Sequence, residues 1–423
     1  MEQSVKQRIA DIQRGNVPAG YRKTKRIGIF PEKWSKTKIG DFIQFYNEKS
    51  TQNNQYPVLT SARSGLFFQK DYFEDQVTTE NNTGYNIIPR GFFTYRSRSD
   101  DGSFYFNRNT IIDRGVISCF YPVFQFDTTK VDSNYIFICL NELLKEQVFC
   151  EVAGTSQLVL SEKMLSQMTL ILPQLEEQRR IAEILGCCDR VIALKKELIA
   201  EKKKQKKALM QKLLNPNSGF RLPGFTGEWK KTTLGELAAN KGEYGINAPA
   251  CEYAPGLPRY IRITDIDEHC KFITANGAYV NISDYESFLL KPADIVFVRT
   301  GGTVGKSYVY DSADGELVFA GFLIRFNFQF PKADYRFIKQ IVFSEEYFRW
   351  ISIMSARSGQ PGINAEEYAS YSFFAPDLKE QQAIADILSA ADKEIDLLEQ
   401  ELSQQEQKKK SLMQLLLTGI VRV

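Results

Sequence analysis

The sequence predicts a duplicated chain: a variable domain, a long helix, a second variable domain and a second long helix, with the two helices paired antiparallel. Three observations predict it. The stretch PQLEEQRRIAEILGCCDRVIALKKELIAEKKKQKKALMQKLL from Pro173 aligns without a gap to PDLKEQQAIADILSAADKEIDLLEQELSQQEQKKKSLMQLLL from Pro376, sharing Glu177/Glu380, Gln178/Gln381, Ile181/Ile384, Asp189/Asp392 and Met210/Met413 among others. A second pair of anchors opens each half, EKWSKTKIGDF around Trp34 and GEWKKTTLGEL around Trp229. Between these anchors the halves hardly resemble each other. Finally, each repeated stretch carries a seam with spacings of four and three, the period of about 3.5 residues that marks a coiled coil.

The elements follow in chain order. MEQSVKQRIADIQRG is polar, lacks an apolar signal-peptide core and reads as a short helix, expected to pack near the C-terminal end of the second long helix. NVPAGYR after it echoes NPNSGFR at Asn215. The expected divisions are an N-terminal helix and linker over 1–30, a first variable domain over 31–172, helix one over 173–214, a linker over 215–225, a second variable domain over 226–375 and helix two over 376–423. In helix one the seam runs Ile181, Leu185, Cys188, Ile192, Lys195, Ile199, Lys202, Lys206, Leu209, Leu213. In helix two it runs Ile384, Leu388, Ala391, Ile395, Leu398, Leu402, Gln405, Lys409, Leu412, Leu416. Both turn polar at the same place, a defect that two unrelated amphipathic helices would seldom share. Pro173 and Pro376 suit a helix start, and Asn215-Pro216 and Thr418-Gly419 suit helix ends.

Connectivity sets the pairing. About 40 helical residues span roughly 60 Å, whereas a dozen linker residues reach at most roughly 40 Å. The second domain is tied to the end of helix one and the start of helix two, so the shorter closure brings those ends together. That places the variable domains at opposite ends of a rod with pseudo-two-fold symmetry. The run Lys202–Lys207 reads as a solvated helix face, with phosphate contact as the other reading.

Composition narrows the function. At 423 residues, two to four domains are expected, and 43% hydrophobic with 25% charged residues is ordinary for a soluble globular protein. No run of about 18 apolar residues occurs, so the expectation is a cytoplasmic protein away from membranes. The net charge of +3 neither demands nor excludes nucleic acid. Seven cysteines without CxxC spacing read as buried free thiols. The single histidine, His269, lies in the polar turn DIDEHCKF, and a triad or His-ligated metal would have to be built on it alone. GGTVGKS is no P-loop, because the first glycine position holds Thr300 and strand-like sequence follows it. No [N/D]PP[Y/F] methyltransferase signature occurs. Asp377 and Glu406 with Lys408 lie about 45 Å apart along one helix, too far to share a metal. The chain is therefore expected to be non-catalytic and to hold no cofactor or metal of its own.

With the repeat, the anchors and the stretches DIVFVRTGGTVGKS, GTSQ and RSGQPGIN in this order, the chain resembles the specificity subunits of type I restriction-modification systems over nearly its whole length. The resemblance implies two mixed α/β target-recognition domains joined by an antiparallel helical pair. It implies double-stranded DNA as ligand, read as an asymmetric two-part site. It implies two modification (adenine methyltransferase) subunits and restriction subunits as partners, with S-adenosylmethionine, ATP and magnesium on those partners. The rod would set the spacer between half-sites. A coiled-coil scaffold without DNA readout is the alternative.

Base readout needs donors and acceptors, and affinity needs phosphate neutralisation. In the first domain these needs point to Thr60, Arg63 and Ser64 in LTSARSG, to Arg90, Tyr95, Arg96 and Arg98 in IPRGFFTYRSRSDDG, and to Gln157 in GTSQ. In the second they point to Arg262 and Thr264 in YIRITDID, to Arg299, Thr300, Thr303 and Lys306 in FVRTGGTVGKS, and to Arg357, Ser358 and Gln360 in ARSGQ. Phe92, Phe93, Phe104, Tyr105 and Phe106 read as core strand residues.

Overall fold

The computed structural model describes residues 3–24, 28–73, 81–144, 158–275, 277–356 and 361–423. Two compact units form, one from Met1–Leu194 with Leu402–Val423, the other from Lys195–Glu401. Each variable domain is a mixed α/β body whose named sheet pairs are mostly antiparallel, and each unit also contains a segment of both long helices.

In the first unit, strands Ser35–Lys38 and Thr169–Leu172 pair antiparallel and bring the two ends of the domain together. A four-stranded antiparallel sheet runs in the order Phe106–Arg108, Phe93–Tyr95, Val123–Phe126, Ile43–Tyr46. Phe93, Phe106, Phe124 and Phe126 of this sheet form one core with Tyr135 and Ile136 of helix Ser133–Glu142, and with Ile181, Leu185 and Leu416 of the long helices. Asp132 starts the domain helix by accepting from the Tyr135 amide, as an N-cap should. Phe93, Phe104 and Phe106 are core residues as expected, whereas Phe92 and Tyr105 are only half-buried.

The second unit repeats the plan. Lys230–Thr233 pairs with Ser372–Ala375, again joining the domain's ends. The sheet order is Glu243–Tyr244, Leu323–Asn327, Asp294–Val298, Ser307–Val309. Asp294–Val298 is buried on both faces, which explains its unbroken apolar run. Helix Tyr335–Val342 turns Phe337, Ile338, Ile341 and Val342 into the core beneath it and is capped by Asp334. Strand Arg259–Ile261 adds a parallel pairing with Leu317–Phe319.

The long helices span Leu175–Leu213 and Leu378–Leu417. Each begins two residues after its proline; the carbonyls of Pro173 and Pro376 instead accept from the side-chain amides of Gln178 and Gln381, both at 3.0 Å. In the second unit Lys195 pairs with Glu401, Lys202 with Glu394 and Lys206 with Asp392. Partner numbers fall as the lysine numbers rise, so these segments run antiparallel. In the first unit Lys409 pairs with Asp189, the repeat counterpart of Lys206 with Asp392. The seam is buried at Ile181, Leu185, Ile199, Leu213, Ile384, Leu388, Ile395 and Leu416. Leu209 departs from it: the leucine is exposed and Met210 packs inward instead.

These pairs refine the reading of the lysine run. Lys203, Lys204 and Lys207 are exposed, as on a solvated face, whereas Lys202 and Lys206 are half-buried; Lys202, Lys203, Lys206 and Lys207 each already pair with a carboxylate, of Glu394, Glu399, Asp392 and Glu345 respectively. Asp392 shows the balance: burial pushes its carboxyl pKa up, yet Lys206 and Lys339 outweigh that and hold it below the ordinary value. The cysteines need correcting. All six described are free thiols, but only Cys139 is buried, and Cys119 and Cys187 are exposed. Cys187 sits on the outer face of its helix, one residue off the seam.

The helix ends are held by a repeated device. Glu380, only 1% exposed, receives both Nε and Nη2 of Arg221 from the linker that follows helix one, at 2.9 and 2.6 Å. Glu177 is held likewise by Arg422, which follows helix two, with Nη2 at 2.7 Å. Beside each, Gln178 and Gln381 accept from the backbone amides of Asp132 and Asp334 at 3.0 and 3.2 Å, tying each helix start to a domain helix. The N-terminal helix spans Gln3–Gln13 and reaches the end of helix two as expected. Arg8 donates to the Ile420 carbonyl, and the Tyr21 hydroxyl to that of Gly419 at 2.6 Å. Gly419 has a φ of +70°, and a Cβ there would lie 2.5 Å from Pro31, so only glycine lets the chain turn against it.

Candidate nucleic-acid interface

In each domain the central strand runs out into the predicted arginine cluster, and in each the same backbone ladder holds it. In the first domain the Ser97 amide donates to the Phe120 carbonyl at 2.8 Å, and the Ser97 carbonyl accepts from the Leu160 amide at 2.9 Å. In the second domain the Arg299 amide donates to the Phe322 carbonyl at 3.1 Å, and the Arg299 carbonyl accepts from the Ile363 amide at 2.9 Å. Leu158–Val159 pair with Ser99–Arg98, and Gly362 bridges Thr300. Gln157, Arg357, Ser358 and Gln360 lie outside the described residues. The residues directly after these segments are the ones that pair with the arginine clusters.

The second cluster is further hung on two buried tyrosines. The Tyr368 hydroxyl donates to the Val298 carbonyl at 2.7 Å and accepts from the Gly305 amide at 3.1 Å, while the Tyr347 hydroxyl donates to the Gly305 carbonyl at 3.0 Å. Burial pushes both phenol pKa values up, which keeps them neutral donors. Gly305 has a φ of +89°, and a Cβ would strike Ile351 at 2.6 Å. After Lys306 comes strand Ser307–Val309 rather than a helix, so the turn lacks the helix start a P-loop needs.

The predicted side chains divide by their partners. Arg63 is bound by Asp101, whose carboxyl is held down to about 2 by the Ser103 amide, the Ser99 hydroxyl and Arg63 itself. Arg90 is bound by Asp113 at 2.7 Å and also donates to the Thr110 carbonyl. Arg262 forms a two-pronged pair with Asp265, both bonds 2.9 Å, which closes a turn of 3-10 helix and raises the arginine's pKa. These three already have a carboxylate. Arg96, Arg98, Arg299 and Lys306 have none among the described residues. Arg98 is exposed and lies over the Phe120 ring at 4.2 Å. Arg299 lies over the Tyr244 ring at 4.8 Å and donates one Nη1 hydrogen to the Gly321 carbonyl at 3.3 Å. Its Nε is buried without an acceptor. Ser64 and Thr264 are exposed, and Thr300 and Thr303 are half-buried beside Arg299.

Two expectations fail here. Tyr95 is fully buried; its ring packs on Phe106 and its hydroxyl donates to the Leu160 carbonyl at 3.1 Å. It belongs to the core, because strand Phe93–Tyr95 is buried on both faces. Thr60 is also buried, on strand Leu59–Ala62. Conversely, the exposed Phe120, Tyr244 and Phe322 were not singled out by sequence reasoning. Their available signal was an aromatic residue in a short glycine- or proline-containing stretch, in SCFYP, KGEYG and AGFL.

His269 is exposed, 3.6 Å from Glu268. Among the described residues no group of three His, Cys, Asp or Glu side chains is placed to hold a metal ion. No described helix is long and apolar enough to cross a membrane.

One backbone frame therefore occurs twice, and each copy carries a guanidinium, Arg98 or Arg299, with no carboxylate partner among the described residues. The pattern of the type I restriction modification DNA specificity domain matches twice, over residues 31–203 and 226–407, and the chain belongs to that family. It is 25% identical over 418 residues to the type I restriction enzyme MjaVIII specificity subunit of Methanocaldococcus jannaschii, covering 93% of this chain and 94% of that relative. Its fold is similar to the type I restriction-modification S subunit from M. genitalium, with a TM-score of 0.57 at 14% identity over 93% of this chain and 97% of that one. A chain from a solved type I R-M system shares the fold with a TM-score of 0.53 at 15% identity, covering 93% of this chain and 99% of the other.

Proposed function

We propose that this chain is the sequence-reading subunit of a type I restriction-modification complex, with each domain reading one half of an asymmetric, two-part DNA site. The observation that carries the reading is the shared backbone ladder bearing different side chains, Ser97 with Arg98 in one domain and Arg299 with Thr300 in the other. One frame presented twice gives two contacts of the same geometry; different side chains on it give different base preferences. The two long helices act as the spacer element between half-sites. They also dock two modification subunits, and restriction subunits join that assembly. Exposed apolar side chains favour docking there: Leu194 is 63% exposed, and its repeat counterpart Leu397 is 51% exposed. The chain itself is non-catalytic in this reading. Methyl transfer with S-adenosylmethionine, and ATP- and magnesium-dependent steps, belong to the partners.

The test is a comparison of adenine methylation in cells with and without this gene. One asymmetric two-part motif should vanish on deletion and return on complementation. An unchanged methylation pattern, with the modification subunits expressed, would refute the reading.

A further inference from the structure

We propose that Arg98 and Arg299 are the guanine-reading residues of their domains, so that each half-site contains a G·C pair contacted by one of them. The inference rests on the reading of the chain as a DNA-sequence reader and narrows it to two side chains and one base.

Guanine offers N7 and O6 side by side in the major groove, and a planar guanidinium can donate to both at once. Such a contact needs a guanidinium that is not held by a carboxylate and whose plane is already set. Arg262 fails the first condition outright, because the buried Asp265 carboxylate holds it; Arg63 and Arg90 meet it less well than Arg98 and Arg299, since each would first have to leave an exposed carboxylate, Asp101 or Asp113. Arg96 is exposed without a carboxylate partner or an aromatic ring stacked beneath it among the described residues, which suits a phosphate contact. Arg98 and Arg299 meet both conditions.

Phe120 supports Arg98, and its carbonyl is fixed by both the amide and the hydroxyl of Ser97. Tyr244 supports Arg299, and its hydroxyl accepts from the Ala365 amide at 3.2 Å. A ring beneath the guanidinium sets its plane, so less side-chain freedom is lost on binding. Arg299 adds an independent sign. No carboxylate balances its charge among the described residues, and Nη1 gives only one hydrogen to the Gly321 carbonyl, so hydrogens remain on the Nη edge for the acceptors of a base, while the buried Nε takes no part in such a contact. Beside it, Gly302 has no neighbour within 4 Å of where a Cβ would be, leaving room for a close approach.

The experiment uses the assembled complex with its modification subunits and the motif found by methylation mapping. Each guanine of the half-site read by the second domain is replaced in turn by 7-deazaguanine, which lacks the N7 acceptor. For the unaltered protein, one position should weaken binding by roughly 5-fold or more, within the span of a two-pronged base contact. Arg299→Ala should bind more weakly and become indifferent to that replacement. Arg299→Lys keeps the charge but loses the planar fork, so it should lose the same discrimination. The salt dependence should stay unchanged in Arg299→Ala, because a base contact releases no counterion, whereas loss of a phosphate contact lowers the slope by about 1. Arg98→Ala and Arg98→Lys should behave likewise on the other half-site only. Retained sensitivity to 7-deazaguanine in the Arg299 variants, a lowered salt slope, or a half-site without G·C would overturn the assignment. Failure of the unaltered complex to bind any methylated motif would instead overturn the reading of the chain as a DNA reader.

Discussion

The two arginine-bearing loops and the two helix starts are both duplicated, but in opposite ways. At the helix starts the residues themselves recur: Glu177 with Glu380, Gln178 with Gln381, Asp189 with Asp392. There the side chains make the contacts, in Arg422 with Glu177 and Arg221 with Glu380, and in Lys409 with Asp189 and Lys206 with Asp392. At the arginine-bearing loops the geometry recurs while the residues differ. Backbone amides and carbonyls of Ser97 and of Arg299 make equivalent ladders to Phe120 and Leu160, and to Phe322 and Ile363. A frame held by main chain places few demands on its side chains, so the residues it carries are free to diverge. A joint held by a buried carboxylate is not free to diverge.

The sharpest way to break this contrast is at the joints. Arg221→Ala strips the nearly inaccessible Glu380 of both its guanidinium bonds. A buried charge left unpaired costs about 3 kcal/mol or more, and urea unfolding of the full chain should show a loss of that order. Arg422→Ala should cost less, roughly half as much, because the Glu177 side chain is 10% exposed against 1% for Glu380. Equal losses, or none, would mean that the two joints are not held as described.

A smaller effect sharpens the other side. Tyr95→Phe removes a buried hydroxyl that donates to the Leu160 carbonyl. It should cost about 1 kcal/mol and leave the methylated motif unchanged, as a core residue requires. A changed base preference with unchanged stability would return Tyr95 to the interface.

The same contrast explains what the sequence made legible. The long helices, their seam, their antiparallel pairing and the N-terminal helix could be read because side-chain periodicity and shared charged residues create them. Leu209 was misplaced because Met210, one residue on, fills the same space more flexibly. The arginine clusters were visible as composition, but their partners were not. That Asp101 and Asp113 neutralise Arg63 and Arg90 depends on chain segments brought together by folding. Tyr95 misled because its neighbours Arg96 and Arg98 are exposed, whereas the tyrosine is the last residue of a strand buried on both faces. The rings beneath Arg98 and Arg299 come from remote segments, the turn at Phe120 and the edge strand at Tyr244, and no spacing around the arginines announces them.

The central claim is that the chain holds two independent readers on one frame. It is tested most directly by exchanging the whole segment from Trp229 to Phe374 for the corresponding segment of a relative with a different motif, then mapping adenine methylation in cells carrying the modification subunits. The account predicts that one half-site changes to the relative's, while the other half-site and the spacer length stay as they were. Both half-sites changing together, in a protein that still assembles and methylates, would contradict it.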